Sequence, residues 1–326
     1  MKQDKLRIVF MGTPEFAVAS LEALLDSKHE IVGVVTMPDK AIGRHHEVLQ
    51  ASPVKECALR HGIPVLQPEK LKDEDFLTEL RSLNADLQIV VAFRMLPEVV
   101  WAMPRLGTFN LHAALLPQYR GAAPINWSII HGDSITGITT FWLDHQIDTG
   151  RIICQETLPI GPDDCAGDIH DRMMVQGAQL VCRTADMIAS GEAEAVPQEQ
   201  FMTDEPLRPA PKIFKETCQI RWSNLKVQSA HNFVRGLSPY PAAWTTIAEA
   251  KGKHTILKVF KTHPEECTHH LPAGTLETDG KNWLRVALTD GYLYLEEIQQ
   301  AGKKRMSVTD FLRGAHMEDA RLIEEE

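Results

Sequence analysis

The amino-acid sequence predicts an α/β protein in which a parallel sheet, covered by helices on both faces, is followed by a small β-barrel. Strand-like and helix-like segments alternate through the first half of the chain, and its strands are almost continuously apolar. The last third instead holds several short strands separated by turns that contain Gly, Pro or Asp. We expect a first domain over residues 1–190, a linker over 191–211 and a second domain over 212–326.

The first domain follows the order strand, helix, strand. Leu6 to Gly12 is predicted as a buried strand, and the helix that follows it to Ser27 is opened by Thr13 and Pro14. The same patterns predict strands over 30–36, 87–93, 108–111 and 138–142, and helices near 53–61, 73–83, 124–131 and 166–190. A parallel sheet of this kind places its ligands beyond the carboxyl ends of its strands.

The second domain has a different pattern. A single helix is predicted near residues 226–236, and short strands are predicted over 243–248, 255–260, 284–289 and 292–298. Short strands at this spacing are typical of a small barrel.

The composition is that of an ordinary globular protein, with 44% hydrophobic and 24% charged residues. No apolar run reaches the ~18 residues of a membrane span, and the N-terminal MKQDKLRIVFMG leads directly into a strand rather than resembling a signal peptide. We therefore expect a cytoplasmic protein with no membrane partner. The six cysteines form no Cys-x-x-Cys pair, which favours inert thiols over a disulfide framework or a zinc ribbon.

Charge is unevenly distributed along the chain. The formal net charge is -10, but residues 209–317 hold 15 Lys and Arg against 10 Asp and Glu. A modestly basic second domain permits contact with nucleic acid, and an uneven solvated surface explains it equally well.

The sequence lacks the patterns that identify several common kinds of binding and catalytic site. The turn MGTPEFA after the first strand has one Gly where a dinucleotide fingerprint needs three. His45, His46, Cys267, His269 and His270 are of metal-ligand type, but no complementary pair stands at ligand spacing, so we expect no metal. Walker and Gly-x-Ser-x-Gly patterns are absent from the sequence.

The segment NLHAALLPQYRG, which begins at Asn110, does indicate chemistry. Residues two apart on a strand share a face, so Asn110 and His112 can present an amide and an imidazole to one point, as an oxyanion on a carbonyl carbon requires. A nearby carboxylate would fix the imidazole tautomer. Asp144 and Asp148 are both candidates, and Asp148, at the tip of a loop, is better placed to reach a cleft.

The residues Leu115, Leu116 and Pro117 form an apolar stretch directly after this pair. Such a wall suits a flat heterocyclic ligand held by backbone groups. Packing in the core explains the two leucines equally well.

These residues resemble a known family. Asn-x-His-x-x-Leu-Leu-Pro, then Arg-Gly-x-x-Pro and a later Asp-x-Gly, is similar to the folate-dependent formyltransferases, which use 10-formyltetrahydrofolate. The resemblance extends along nearly the whole chain through MGTPEFA, MPDKAIGR with ASPVK, AMPRLGTFNLH, RGAAPINWSIIHGD, IDTG, LSPYPAAW and AGKKRMS. Over this longer set of motifs, the chain resembles in particular the members of the family that act on initiator methionyl-tRNA.

The resemblance implies a fold, a reaction and a set of residues. It implies a Rossmann-like catalytic domain, a C-terminal barrel of the OB type, and transfer of a formyl group to the α-amine of methionine on initiator tRNA. Asn110, His112 and Asp148 match the family's catalytic trio, while the stretch from Ala114 through Leu115 and Leu116 to Pro117 matches the segment that lines the folate site. No metal and no obligate protein partner is implied.

The resemblance also suggests where tRNA binds. In the family the loop after Asp39 meets the acceptor end, so Lys40 and Arg44 are candidates there. In the second domain, cations predicted to meet the tRNA backbone are Lys251, Lys253, Lys258, Lys261, Lys303, Lys304 and Arg305.

Two positions depart from the family pattern. Ala114 stands where the family usually has Ser, and His45, His46 and Glu47 follow Arg44 where the family loop is usually richer in Lys and Arg.

Two other functions remain open from the sequence. A related enzyme that formylates a nucleotide-linked amino sugar would share the catalytic trio and even a second β-domain. A folate- or RNA-binding protein without catalysis would keep the fold but not need His112 for turnover.

Overall fold

The structure is a computed structural model, and it describes residues 4–42, 48–248, 254–315, 317 and 319–324. The chain divides into two compact units. The first comprises the chain to Gly121, Thr136–Pro159 and His170–Pro209, and the second comprises Ala122–Ile135, Ile160–Ile169 and the chain from Ala210. The linear boundaries expected from the sequence, at residues 190 and 212, remain a prediction.

Strands and helices alternate through the first part of the chain, and strands predominate in the last part. The strands are β1 (Arg7–Gly12), β2 (Glu30–Val35), β3 (Lys40–Ile42), β4 (Val48–Gln50), β5 (Val65–Leu66), β6 (Leu87–Val91), β7 (Thr108–His112), β8 (Ile135–Trp142), β9 (Ile152–Pro159), β10 (Ala243–Ala248), β11 (His254–Glu266), β12 (Leu276–Thr278), β13 (Leu284–Leu288), β14 (Gly291–Gln300), β15 (Met306–Ser307) and β16 (Arg321–Ile323). The helices are α1 (Glu15–Leu25), α2 (Pro53–Arg60), α3 (Glu74–Ser82), α4 (Glu98–Trp101), α5 (Pro124–Ile130), α6 (Ala166–Ser190), α7 (Val227–Leu237) and α8 (Val308–Leu312).

The main sheet of the first unit has the order β5-β2-β1-β6-β7-β8-β9, and its first five strands are parallel. The strand order reverses between β1 and β6, as in a Rossmann-like fold, and this reversal opens a crevice at the carboxyl ends of the strands. β8 runs antiparallel to β7. The sequence did not reveal this direction, because an apolar strand has the same composition whichever way it runs.

Apolar strands and helices capped by polar side chains build this unit. All five residues of β6 are buried, as expected of a strand covered on both faces. Helix α2 begins where the Ser52 hydroxyl accepts a hydrogen bond from the Lys55 amide over 3.1 Å, and Asp73 caps α3 in the same way. The predicted elements are therefore confirmed, with boundaries that differ by a few residues.

The second unit contains an antiparallel sheet of order β12-β13-β14-β11-β10-β16, and β15 pairs with β14. This sheet forms a nearly closed barrel, in agreement with the predicted fold class. Trp222 lies fully buried in its core, where its indole Nε1 donates a hydrogen bond to the Thr245 hydroxyl over 2.9 Å. Helix α7 packs on the same core through Val227, Val234 and Leu237.

None of the helices in the described part of the chain combines the length and the apolar character that crossing a membrane requires.

Candidate active site

Asn110 and His112 lie on β7, the strand next to β6 in the main sheet, and His112 is its last residue, at the carboxyl end. Being two residues apart, they are on the same face of the strand. His112 is 5% exposed, whereas Asn110 is only partly buried. Within the described ranges the Asn110 side chain makes no hydrogen bond to protein.

Both nitrogens of the His112 ring face an oxygen. Nε2 lies 2.8 Å from the backbone carbonyl oxygen of Tyr119, and Nδ1 lies 3.9 Å from Oδ2 of Asp148. A carbonyl can only accept a hydrogen bond, so Nε2 carries a proton. The separation of 3.9 Å is an ion-pair distance rather than a direct hydrogen bond. Nδ1 and the Asp148 carboxylate are thus left facing each other.

Asp148 occupies the loop between β8 and β9, with a backbone φ of 55° and a side chain that is 15% exposed. Its Oδ2 accepts a hydrogen bond from the backbone N–H of Gly121 over 2.9 Å. Asp144, the other candidate from the sequence, is exposed, and its Oδ1 accepts from the backbone of Gln146 and from the Thr149 hydroxyl. Of the two aspartates, the structure places Asp148 beside His112.

A residue that the sequence did not suggest holds this loop. Gln198 is 2% exposed, and its Nε2 donates to the carbonyl oxygens of Asp148 and Gly150, each over 2.8 Å. Its Oε1 accepts from Nε and a terminal nitrogen of Arg120, over 3.1 and 2.6 Å. Gln198 lies in a short 3₁₀ helix, Gln198–Phe201, within the predicted linker. No local sequence signal distinguishes it from the neighbouring Gln200.

The segment predicted to line the folate site is fixed to strands β8 and β9. The hydroxyl of Thr139, which is paired with His112 in the register of β7 and β8, donates to the Ala114 carbonyl over 2.6 Å. The same hydroxyl accepts from the Leu116 amide over 3.2 Å, and Gln155 donates to the Leu116 carbonyl over 2.7 Å. These bonds set the backbone that follows His112.

The four residues of that segment differ in exposure. Ala114 is fully buried, and Leu116 is 1% exposed and packs with Phe141 and Ile152. Leu115, Leu116 and Pro117 also line a groove of about 790 Å³, which is shared with residues 201–207. This short stretch therefore contributes both to the core and to the lining of the groove.

The cations predicted to contact tRNA lie on two different units. Lys40 is exposed on β3, in the first unit, and Lys303 and Lys304 are exposed in the turn between β14 and β15, in the second. The Arg305 guanidinium pairs with Glu297 and lies 4.5 Å from the centre of the Phe260 ring. Three of the candidates lie outside the described residues: Arg44, Lys251 and Lys253.

The start of the Lys40 hairpin is held by Asp39. Its carboxylate accepts from Lys55 Nζ over 2.6 Å and from Gln67 Nε2 over 2.7 Å. The hydrogen bond from Lys55, followed by that from Gln67, holds the pKa of Asp39 below its ordinary value. The carboxylate is therefore charged near neutral pH and anchors the base of β3.

No cluster of His, Cys, Asp or Glu suited to a metal ion is present among the residues that the structure describes.

The sequence matches two family models. The model described as formyl transferase matches residues 6–185, and that described as formyl transferase, C-terminal domain, matches residues 212–316. Together they cover most of the chain.

The chain is similar to methionyl-tRNA formyltransferases from several bacteria. It is 59% identical over 315 residues to that of Parabacteroides distasonis, covering 96% of this chain and 97% of the relative. It is 46% identical over 326 residues to that of Porphyromonas gingivalis, covering 99% and 100%. Near-complete coverage of both chains means that the similarity includes both family-model regions.

Two solved structures have a similar fold. An N-formyltransferase from Helicobacter canadensis, complexed with folinic acid and dTDP-3-aminofucose, has a TM-score of 0.60 at 18% identity, covering 92% of this chain and 100% of that chain. HypX from Aquifex aeolicus in complex with tetrahydrofolic acid has a TM-score of 0.59 at 19% identity, covering 96% and 48%. At these identities the likeness shows the fold alone.

Proposed function

The chain belongs to the methionyl-tRNA formyltransferase family, and from this premise we propose that it transfers a formyl group from 10-formyltetrahydrofolate to the α-amine of methionine on initiator methionyl-tRNA. The observation that carries the proposal is the placement of His112 between Tyr119 and Asp148 at the carboxyl edge of the sheet. Through this reaction the protein would support translation initiation.

The proposed reaction exchanges one carbon–nitrogen bond for another. The neutral α-amine attacks the formyl carbon, and its electron pair forms the new C–N bond while the carbonyl oxygen becomes an oxyanion. The tetrahedral intermediate then collapses, the bond from the formyl carbon to the folate nitrogen breaks, and that nitrogen leaves with the electron pair. One proton is lost by the amine and one is gained by the folate nitrogen.

Asn110 and His112 are the proposed groups that stabilise the oxyanion: Asn110 as a hydrogen-bond donor, and the protonated His112 ring as a nearby positive charge, because its Nε2–H already faces the Tyr119 carbonyl. The Asn110 amide has no partner among the described residues, and His112 lies on the same strand face. Donors that are already oriented lose little reorganisation energy as negative charge develops, and the loss of one such donor typically lowers the rate ~10²- to 10³-fold.

Asp148 is the proposed orienting and proton-transfer group. Its Oδ2 is held by the Gly121 N–H and faces Nδ1 of His112 at 3.9 Å. The opposite charges of a carboxylate and a protonated imidazole attract at this distance. We propose that Asp148 keeps His112 in position and helps move a proton, through water, from the amine to the leaving folate nitrogen.

The stretch from Ala114 to Pro117 is the proposed contact surface for the folate. It leads directly from His112, and hydrogen bonds from Thr139 and Gln155 fix its backbone. A fixed backbone next to the reacting carbon would hold the co-substrate in a productive orientation. The fully buried Ala114 side chain leaves its backbone as the group through which that residue would act.

Lys40, Arg44, Lys303, Lys304 and Arg305 are the proposed contacts to tRNA. Exposed cations near phosphates release counterions on binding, so the affinity for tRNA should fall as salt rises. Arg305 already pairs with Glu297 and would have to exchange that partner for a phosphate.

A substrate comparison tests the proposal. Purified protein is given 10-formyltetrahydrofolate with either initiator methionyl-tRNA or a nucleotide-linked amino sugar, across a salt series. We expect formyl transfer to the tRNA, with an apparent affinity for tRNA that falls as salt rises. Transfer to the amino sugar alone would refute the proposed substrate, and an unchanged affinity for tRNA would refute the proposed basic contacts.

A second measurement separates catalysis from binding. His112→Ala should greatly reduce transfer while the protein still binds tRNA. Equal transfer by this variant would show that His112 has no catalytic role.

A further inference from the structure

The side chain of Gln198 uses all of its hydrogen-bonding groups on two segments next to the candidate site. The two amide hydrogens go to the carbonyl oxygens of Asp148 and Gly150, each at 2.8 Å, and the amide oxygen receives two N–H groups from Arg120. At 2% exposure, this amide is shielded from water that could replace those bonds. The residue is therefore fixed in one orientation.

Arg120 determines which end of the Gln198 amide faces the loop. A guanidinium can only donate hydrogen bonds, so it selects the amide oxygen and turns the NH₂ group toward the two carbonyls. A carboxylate at the same position has only acceptor oxygens. It could not donate to the carbonyl oxygens of Asp148 and Gly150, so both of these hydrogen bonds would be lost. The chemistry of the position thus requires an amide rather than any polar side chain of that length.

The two hydrogen bonds from the Gln198 amide hold the turn at Asp148 and at Gly150, two residues further along the chain. Asp148 has a φ of 55°, a left-handed conformation that is unfavourable for a residue other than glycine. Such a conformation persists only when surrounding contacts hold it. The bonds to the carbonyls of Asp148 and Gly150 are contacts of this kind.

The contacts close into a ring around the Asp148 carboxylate. Arg120 binds Gln198, Gln198 binds the Asp148 backbone, and the Asp148 side chain binds the N–H of Gly121, the residue after Arg120. The carboxylate held in this ring lies 3.9 Å from Nδ1 of His112.

We propose that Gln198, oriented by Arg120, is a positioning residue that holds the Asp148 carboxylate opposite Nδ1 of His112 during formyl transfer. The inference rests on the proposed function, because it assigns Gln198 a part in that reaction. In this role Gln198 acts through Asp148, since its side-chain amide groups are all bonded to protein.

The first test compares Gln198→Ala and Gln198→Glu with Gln200→Ala, which removes an exposed glutamine from the same 3₁₀ helix. We expect both Gln198 variants to lower kcat about 10- to 100-fold, the range known for side chains that orient metal ligands through hydrogen bonds, with the KM of each substrate changed less than about 2-fold. The kcat–pH profile should also shift, while Gln200→Ala matches the wild type. Unchanged kcat in both Gln198 variants would overturn the inference.

A double-mutant test separates positioning from general support of the fold. If Gln198 acts only through the Asp148 carboxylate, Gln198→Glu should cause no further loss of kcat in an Asp148→Asn background. A structural role predicts that the two losses multiply, and that result would also overturn the inference. Should Gln198→Ala fail to fold, Gln198→Met, which fills a similar volume, replaces it in the first test.

The activity of the wild-type protein distinguishes failure of the proposed function from failure of the proposed positioning role. Absence of formyl transfer by the wild type would refute the proposed function itself. Normal transfer by the wild type together with normal transfer by the Gln198 variants would refute only the positioning role.

Discussion

The backbone carbonyl of Tyr119 lies 2.8 Å from Nε2 of His112, and it thereby turns the other ring nitrogen toward Asp148. Tyr119 and Asp148 both have positive φ values, of 60° and 55°. The two residues that face the imidazole therefore both have left-handed backbone, which is costly for side-chain-bearing residues and often found at functional sites.

Removal of the Asn110 amide should affect chemistry rather than binding. Asn110→Ala is expected to slow single-turnover formyl transfer by ~10²- to 10³-fold, because one donor to the oxyanion is lost. The affinity for tRNA should not change. Asn224→Ala, at an exposed position of the second unit, is the control and should behave as the wild type. A wild-type rate in Asn110→Ala would show that the amide does not stabilise the intermediate.

The two aspartates of the β8–β9 loop should respond differently to loss of charge. Asp148→Asn keeps an oxygen that can accept from Gly121 but removes the carboxylate, so kcat should fall by ~10²- to 10⁴-fold. Asp144→Asn, in the turn closed by Thr149, should change kcat little. Steady-state kinetics of both variants measure this difference. A larger loss of kcat in Asp144→Asn than in Asp148→Asn would assign the catalytic role to Asp144.

Gly150 should not tolerate a methyl group. A Cβ at this position would lie 1.6 Å from the Trp142 carbonyl oxygen, so the Asp148 loop would have to shift. We expect Gly150→Ala to cost about 2 kcal/mol or more of unfolding free energy and to reduce activity. Gly314→Ala, where no atom lies within 4 Å of the added carbon, is the matched control. Thermal denaturation followed by circular dichroism measures both.

Trp222 should be a main source of stability in the barrel. Trp222→Ala is expected to lower the unfolding free energy by about 3–5 kcal/mol, because a large fully buried side chain is lost. Trp222→Phe should cost less, mainly through the hydrogen bond to Thr245. Trp283→Phe, at a partly exposed position, should have a smaller effect in denaturant titrations. Equal effects at the two tryptophans would contradict the assignment of Trp222 to the core.

Stability of the second unit should fall at acid pH through His231. Burial lowers the pKa of His231 below its ordinary 6.5, and the charge of Arg235 lowers it further, whereas the Pro162 carbonyl and Asp163 act in the opposite direction. The unfolded chain then binds the proton more tightly, so this contribution to stability is present above pH 6.5 and is lost as the pH falls toward the lower pKa of the folded state.

The measurement for His231 is the melting temperature at a series of pH values from about 7.5 to about 5, a range that spans the ordinary histidine pKa. His231→Gln removes the titrating group and should flatten the decline. His270→Gln, at an exposed position, serves as the control and should keep the wild-type slope. A slope unchanged by His231→Gln would exclude this histidine as the cause.

The order of strands and helices was largely predictable because it depends on local patterns. The apolar run of β6 and the period of α6 are visible within a few residues of sequence, and both elements appear where they were expected. The hairpin of β3 and β4 was not expected, since its strands have three residues each and show no periodicity.

The sequence by itself determined the fold class, the family, and the shared face of Asn110 and His112, because strand period and motif order are local properties. The sequence already favoured Asp148 over Asp144, but only the tertiary structure decided the 3.9 Å separation of Asp148 from His112, the position of the Tyr119 carbonyl on the other side of the ring, and the hydrogen bonds by which Gln198 holds the loop. Gln198 and Asp148 are 50 residues apart along the chain. Contacts of that kind depend on the path of the whole backbone, which no short stretch of sequence specifies.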